Sequence, residues 1–219
     1  MPVLTSHVDP HSAQFQANAA AMRALLEELE AQLALARAGG GEAYVARHRQ
    51  RGKLLPRERI ELLLDRDAPF LELSPLAAWG TEYPVGGSVV TGLGVVSGVE
   101  CVLIAHDPTV RGGAINPYTL RKMLRAMDIA RANRLPLINL VESGGADLPR
   151  QAEIFLPGGA IFRNLTQLSA TRIPTVALVF GNSTAGGAYV PGMCDYTVMV
   201  KGQAQGVPGR PAAGEDGHR

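Results

Sequence analysis

Two glycine pairs, each just past an apolar run rich in β-branched residues, are the part of this chain best suited to chemistry. Leu137 to Val141 leads into Glu142-Ser143-Gly144-Gly145-Ala146. Val176 to Phe180 leads through Gly181 to Thr184-Ala185-Gly186-Gly187-Ala188-Tyr189. Glycine lets backbone N–H groups approach a ligand that a Cβ would hold off. A helix opening at such a turn adds unpaired N–H groups and the positive end of its dipole. Two such turns aimed at one oxygen would stabilise an enolate or oxyanion without a catalytic side chain. Either pair alone also reads as an ordinary tight strand-to-helix turn. Two after successive strands point to one shared site.

The side chains around these turns offer less. Ser143 lacks the Gly-x-Ser-x-Gly elbow, and no His follows in the body of the domain to act as its base. Glu142 at the first turn and Asp195 after the second are the only obvious carboxylates for acid–base work. Arg111, beside Gly112-Gly113, is placed to hold a ligand phosphate. Arg121, Lys122 and Arg125, on the helix after it, read as a solvated face. The basic run Arg47 to Lys53 fits either a nucleotide phosphate or solvent. No phosphate-binding fingerprint and no His/Cys metal spacing is present, so no metal is expected.

The elements that must position these residues follow from periodicity. Residues 1–11 read as a loose tail. Ser12 to Arg37 is predicted helical, with a stripe of Met22, Leu25, Leu26, Leu29 and Leu33 that makes it a packing arm. Gly39-Gly40-Gly41 ends it. Pro56 opens a short helix to Leu64, and 70–73 reads as a strand. Residues 89–96 and 100–105 form a hairpin about Ser97-Gly98. A helix spans 117–133, with Leu120, Leu124, Met127, Ile129 and Ala130 inward. Strands at 135–141 and 174–180 each precede a glycine turn. Residues 152–158 are apolar but ill-defined, and 160–170 is helical. A short helix near 186–193 and a strand at 196–200 complete an α/β layering.

The 219 residues carry net charge +1, with 46% hydrophobic and 19% charged residues and only 5% aromatics. This balance suits a globular protein with an aliphatic core and gives no reason to expect a nucleic acid or a membrane as partner. Cys101 and Cys194 each stand alone, which suits a reducing, cytoplasmic setting rather than a disulfide framework. No secretory signal and no membrane-length apolar run is read.

Four segments in order carry a resemblance: Arg51-Gly52-Lys53-Leu54-Leu55-Pro56-Arg57-Glu58-Arg59-Ile60, Thr109-Val110-Arg111-Gly112-Gly113, Ser143 to Pro149, and Thr184 to Pro191. From about residue 44 to 205 the chain resembles the carboxyltransferase (β) subunits of biotin-dependent acyl-CoA carboxylases. Methylcrotonyl-CoA carboxylase is the nearest flavour, with propionyl- and acetyl-CoA relatives behind it. The resemblance implies a crotonase-like (ClpP/crotonase) fold, a spiral of ββα units in two halves, here truncated to the acyl-CoA-holding N-terminal half. It implies a homo-oligomer with the active site between halves of different subunits. Amides around Gly144, Gly145, Gly186, Gly187 and Ala188 would stabilise the thioester enolate. Arg111, Gly112, Gly113, Ser143, Ala146, Ala185 and Tyr189 would line the acyl-CoA. Carboxybiotin on a biotin carrier partner would release carbon dioxide, and the biotin anion would take the acyl proton, so the cofactor is the base. ATP chemistry would belong to a separate biotin carboxylase subunit.

The family is more than twice as long. The chain therefore reads as a tail and helical arm over 1–43, an incomplete carboxyltransferase domain over 44–205, and an aberrant tail over 206–219. The tail lacks apolar periodicity, whereas the family continues with a stretch like VFLGGPPLVKMATG. A back-translation of Gly206 to Arg219 with its first base dropped encodes that stretch, so a one-base frameshift is expected there. A fragment of this kind is expected to be poorly soluble and inactive alone. Two further readings stay open: a crotonase-type enoyl-CoA hydratase or isomerase, and a non-catalytic acyl-CoA-binding fragment.

Overall fold

Alternation along the apolar runs builds one mixed sheet in the computed structural model, which describes residues 6–207. Its strands are β1 (Leu71–Leu73), β2 (Val89–Val96), β3 (Val99–His106), β4 (Leu137–Ser143), β5 (Thr175–Thr184), β6 (Tyr196–Met199) and β7 (Gln205–Val207). The order is β1-β2-β3-β4-β5-β6, with β7 also on β5. β2 and β3 form the expected hairpin, with Ser97 at φ +52° and Gly98 at φ +76°, a left-handed pair matching strand twist. From β3 onward the neighbours are parallel. The crossovers are helical: α4 (Pro117–Asn133), α5 (Gln151–Ala170) and α6 (Gly186–Met193). Before the sheet come α1 (Ala13–Arg37), α2 (Glu42–Gln50) and α3 (Pro56–Leu63).

β3 shows why the sheet holds. Val102 and Ile104 face one core with Leu120, Met123, Met127, Leu165 and Leu168 of α4 and α5. Cys101, Leu103 and Ala105 face the other, with Ile60 of α3, Ile138 and Leu140. A strand buried on both faces must be a continuous apolar run, and each of its Val, Ile and Leu side chains contributes about 1.5–3 kcal/mol of burial.

Several expectations are corrected. α1 is capped by Ser12, whose Oγ accepts from Phe15 N at 3.3 Å, yet only the C-terminal part of its stripe, Leu29 and Leu33, is half-buried. Met22, Leu25 and Leu26 are 57%, 63% and 50% exposed, and only Ala36 of the helix is buried. α2 was not anticipated, because its charged sequence has no apolar period. α5 is one helix, not an ill-defined segment followed by a helix. Ile154, Ile161, Leu165 and Leu168 keep one buried stripe across Pro157-Gly158-Gly159, and that packing overrides the local breakers. Lys122 is not on a solvated face. It is buried and donates to Gly86 O at 2.9 Å and Val89 O at 2.7 Å. β5 runs on through Gly181 to Thr184, so the second turn begins later than the apolar run suggests. Gly206 and Val207 pair with β5, and the remainder of the expected aberrant tail lies outside the described residues, as do residues 1–5. Among the described residues no helix is long and apolar enough to cross a membrane.

Candidate active site

β4 and β5 end side by side, and after a register shift Ser143 stands opposite Ser183. The two glycine turns are thereby brought together. A Cβ on Gly145 (φ +82°) would lie 2.8 Å from Thr184 O, and one on Gly187 would lie 3.1 Å from Ser143 Oγ. A Cβ on Gly113 would collide with the Glu142 carbonyl. These glycines are the points where three loops touch, a closeness only glycine permits.

Two buried serines bolt the loops. Ser143 Oγ donates to Gly113 O at 3.0 Å and accepts from Gly145 N at 3.1 Å. Ser183 Oγ donates to Gly187 O at 2.7 Å. Ser143, expected against the acyl-CoA, is 1% exposed and its hydroxyl is committed. Ser183 was missed, although the sequence offers a signal: a serine stands three residues ahead of the second glycine pair, as Ser143 stands just ahead of the first.

The backbone donors divide into spent and unspent. Gly144 N donates to Gly112 O at 2.9 Å, and Ala188 N closes onto Ala185 O at 2.9 Å. With Gly145 N on Ser143 Oγ, these three N–H groups hold the turns in shape. Ala146 bridges Ile115, which donates to Gly145 O at 2.8 Å and accepts from Asp147 N at 2.9 Å. In a parallel bridge of this kind Ala146's own N–H points away from Ile115. Gly186 and Gly187 open α6 without a side-chain cap. Ala185 lifts the chain into that helix at φ +48°, ψ −121°, a strained conformation for a residue with a Cβ. Among the described residues, the N–H groups around the paired turns with no hydrogen-bond partner include those of Ala146, Gly186 and Gly187.

Arg111 stands beside them. Its Nη1 is 3.1 Å from Asp147 Oδ2, and its side chain is 57% exposed where Asp147's is 8%. Arg111, Gly112 and Gly113 all have positive φ, so the backbone doubles back and presents the guanidinium at the rim. Tyr189 is exposed on α6 and packs edge-on against Phe162 at 5.4 Å. An apolar cleft of about 300 Å³ lies behind the second turn, lined by Val179, Ala188, Pro191, Thr197 and Met199 among others.

Neither candidate carboxylate is free. Glu142 Oε2 accepts from Arg59 Nη2 at 2.7 Å and its Oε1 accepts from Lys53 Nζ. Asp195 Oδ2 accepts from Thr175 N at 2.8 Å and Thr175 Oγ1 at 2.9 Å. The basic run thus divides: Lys53 turns inward to Glu142, while Arg49 pairs with Glu58 at 2.6 Å. His106, at the end of β3, is wholly buried with no partner on either ring nitrogen. Burial pushes its pKa down to about 4, against weaker upward pulls from the Leu140 backbone and Glu142. It is a neutral core residue. Among the described residues no cluster of His, Cys, Asp and Glu is arranged to hold a metal ion.

Comparison with known proteins places this geometry. The carboxyl transferase domain family matches residues 47–213. A probable biotin-dependent acyl-coenzyme A carboxylase beta2 subunit of Mycobacterium tuberculosis is 64% identical over 199 residues, covering 91% of this chain and 38% of that protein. A probable mitochondrial methylcrotonoyl-CoA carboxylase beta chain of Drosophila melanogaster is 51% identical over 207 residues, covering 92% and 36%. The chain thus spans less than two fifths of the length of these curated relatives. The crystal structure of the Pseudomonas aeruginosa geranyl-CoA carboxylase beta subunit superposes with TM-score 0.77 at 41% identity, covering 96% of this chain and 40% of that one. The fold is that of the crotonase-like carboxyltransferase subunits, and the chain belongs to the carboxyl transferase domain family.

Proposed function

We propose that this chain carries the acyl-CoA-holding, enolate-stabilising part of a biotin-dependent acyl-CoA carboxylase. One observation supports this most: two glycine turns side by side, with unspent N–H donors and every nearby carboxylate already held. N–H groups of Ala146, Gly186 and Gly187 are the donors offered to the thioester oxygen, and Gly144, Gly145 and Ala188 keep them in place. This refines the expected set, in which the last three were donors themselves. Gly112, Gly113 and Ala185 shape the rim, Arg111 takes a phosphate or carboxylate of the ligand, and Tyr189 packs against its apolar part.

Such a site needs its base from outside. Carboxybiotin, when bound, supplies the carbon dioxide and a base for the acyl proton. The residues present fit that arrangement, since Glu142, Asp147 and Asp195 are occupied by Lys53 and Arg59, Arg111, and Thr175. The hydratase or isomerase reading requires a free carboxylate beside the turns and is the weaker for it. The division into arm, domain and tail is kept, as is homo-oligomerisation: Leu148, Phe155, Leu156 and Tyr189 form exposed apolar surface on the segments beside the turns, suited to another protein half. The biotin carrier and biotin carboxylase are the further partners, and the two free cysteines suit the cytoplasm.

Calorimetric titration with 3-methylcrotonyl-CoA and propionyl-CoA tests the proposal. Both thioesters are expected to bind more tightly than CoA alone, and no hydration of crotonyl-CoA is expected. Transfer of the carboxyl group of methylmalonyl-CoA to free biotin, the reverse reaction, is expected only when the C-terminal half of a full-length relative is added. Absence of thioester binding, or efficient hydration, overturns the reading.

A further inference from the structure

Resting on that reading, we infer that Lys53, Glu142 and Arg59 form a buried clamp that sets the position of both glycine turns, with Glu142 a positioning residue rather than an acid or base. Glu142 is the residue before Ser143, so it sits where β4 enters the first turn. Its carboxylate is held by Arg59 Nη2 at 2.7 Å and by Lys53 Nζ. Lys53 Nζ also donates to Phe180 O at 3.2 Å, so one ammonium ties the end of β4 to β5 ahead of the second turn. The Arg59 guanidinium lies 4.5 Å from the centre of the Phe180 ring, adding a second tie to β5.

The sequence makes room for this cluster at one place. A Cβ on Gly181 would stand 2.5 Å from Glu142 Oε1 and 2.7 Å from Lys53 Nζ. Gly181 therefore serves the clamp and not the ligand. The cluster is anchored on its far side as well. His48 Nε2 lies 3.4 Å from Arg59 Nη2 and 3.1 Å from Leu54 O. Side-chain exposure is 15%, 10% and 3% for Lys53, Glu142 and Arg59, so solvent screens these charges little. Removing one partner of a buried pair loosens what it joins, and here it joins the two strand ends from which the turns emerge. The inward end of the basic run at 47–53 thereby fixes the turns from behind.

Lys53→Met is the informative variant, because it leaves the Arg59–Glu142 pair intact and neutral. Amide hydrogen exchange on the full chain is read at 143–147 and 182–188, and against the core at 102–104 and 123–127. The clamp predicts exchange faster by about tenfold at both turns with the core unchanged. Glu142→Gln, which strands two buried cations, is expected to do the same more strongly, with global unfolding followed in the same samples. Propionyl-CoA affinity should fall in parallel by about tenfold. Unchanged exchange at the turns, or equal acceleration in turns and core, overturns the clamp. If the parent chain binds no propionyl-CoA, the functional proposal fails, and the exchange pattern still decides the clamp.

Discussion

At φ +82°, with Thr184 O 2.8 Å from the place a Cβ would occupy, Gly145 has no room for a side chain. Gly186 has none of these constraints: nothing lies within 4 Å of its Cβ position. Gly145→Ala is therefore expected to lose about 2 kcal/mol of stability and to part the two turns, with acyl-CoA affinity falling alongside. Gly186→Ala should stay within about 0.5 kcal/mol of the parent. Urea unfolding of both variants checks this, and equal losses would mean the turns are not in contact as described. Ser143→Ala removes the bolt, stranding Gly113 O and Gly145 N at an expected cost of about 1–3 kcal/mol. The two glycine pairs could be read from the sequence because glycine after an apolar strand run is a local signal. The spent and unspent N–H groups could not, since they depend on which loop lies against which. The same is true of the clamp, whose members Lys53 and Glu142 are 89 residues apart.

Among the elements, those with an apolar period were legible and those without one were not. β2, β3 and α4 fall where alternation and i, i+4 spacing put them. α2 has nothing apolar to bury except near Val45, and it is helical because its charged residues are good helix formers beside a glycine start. α5 misled for the opposite reason: Pro157-Gly158-Gly159 reads as a break, while packing of its buried stripe on α4 carries the helix through. Those glycines are thus a tolerated weakness. Nothing lies within 4 Å of a Cβ at Gly159, and at Gly158 only Ile154 Cγ2 does, at 4.0 Å. Gly158→Ala with Gly159→Ala is expected to stabilise the chain by about 1–2 kcal/mol, read as a higher urea midpoint at unchanged slope. A lower midpoint would show that the helix needs flexibility there.

For the whole molecule, two buried bases shape stability against pH. Burial lowers His106 from 6.5 to about 4 and Lys122 from 10.5 to about 8. For Lys122 the smaller contributions are Glu72 raising and Arg57 lowering it. Both groups bind a proton less readily when folded than when unfolded. Between the two pKa values the unfolded chain holds more protons, so stability rises with pH across each window. The His106 contribution is fully present above pH 6.5 and is lost as pH falls toward 4. The Lys122 contribution is absent below pH 8 and grows from there toward 10.5. From this histidine alone the loss on acidification is at most about 3 kcal/mol. Urea unfolding measured from pH 4 to 10 should therefore show an acid limb that His106→Leu flattens and an alkaline rise that Lys122→Met removes. An acid limb of the same depth in His106→Leu would assign it to the carboxylates instead. The contrast matters for the site, because His106 at the end of β3 and Glu142 at the end of β4 lie at the same end of the sheet as the glycine turns. Protonating the imidazole would put a buried charge with no hydrogen-bond partner at that end of the sheet. The expected consequence is that the turns open before the helical face of the core as pH falls, with exchange at 143–147 accelerating at a higher pH than exchange at 123–127.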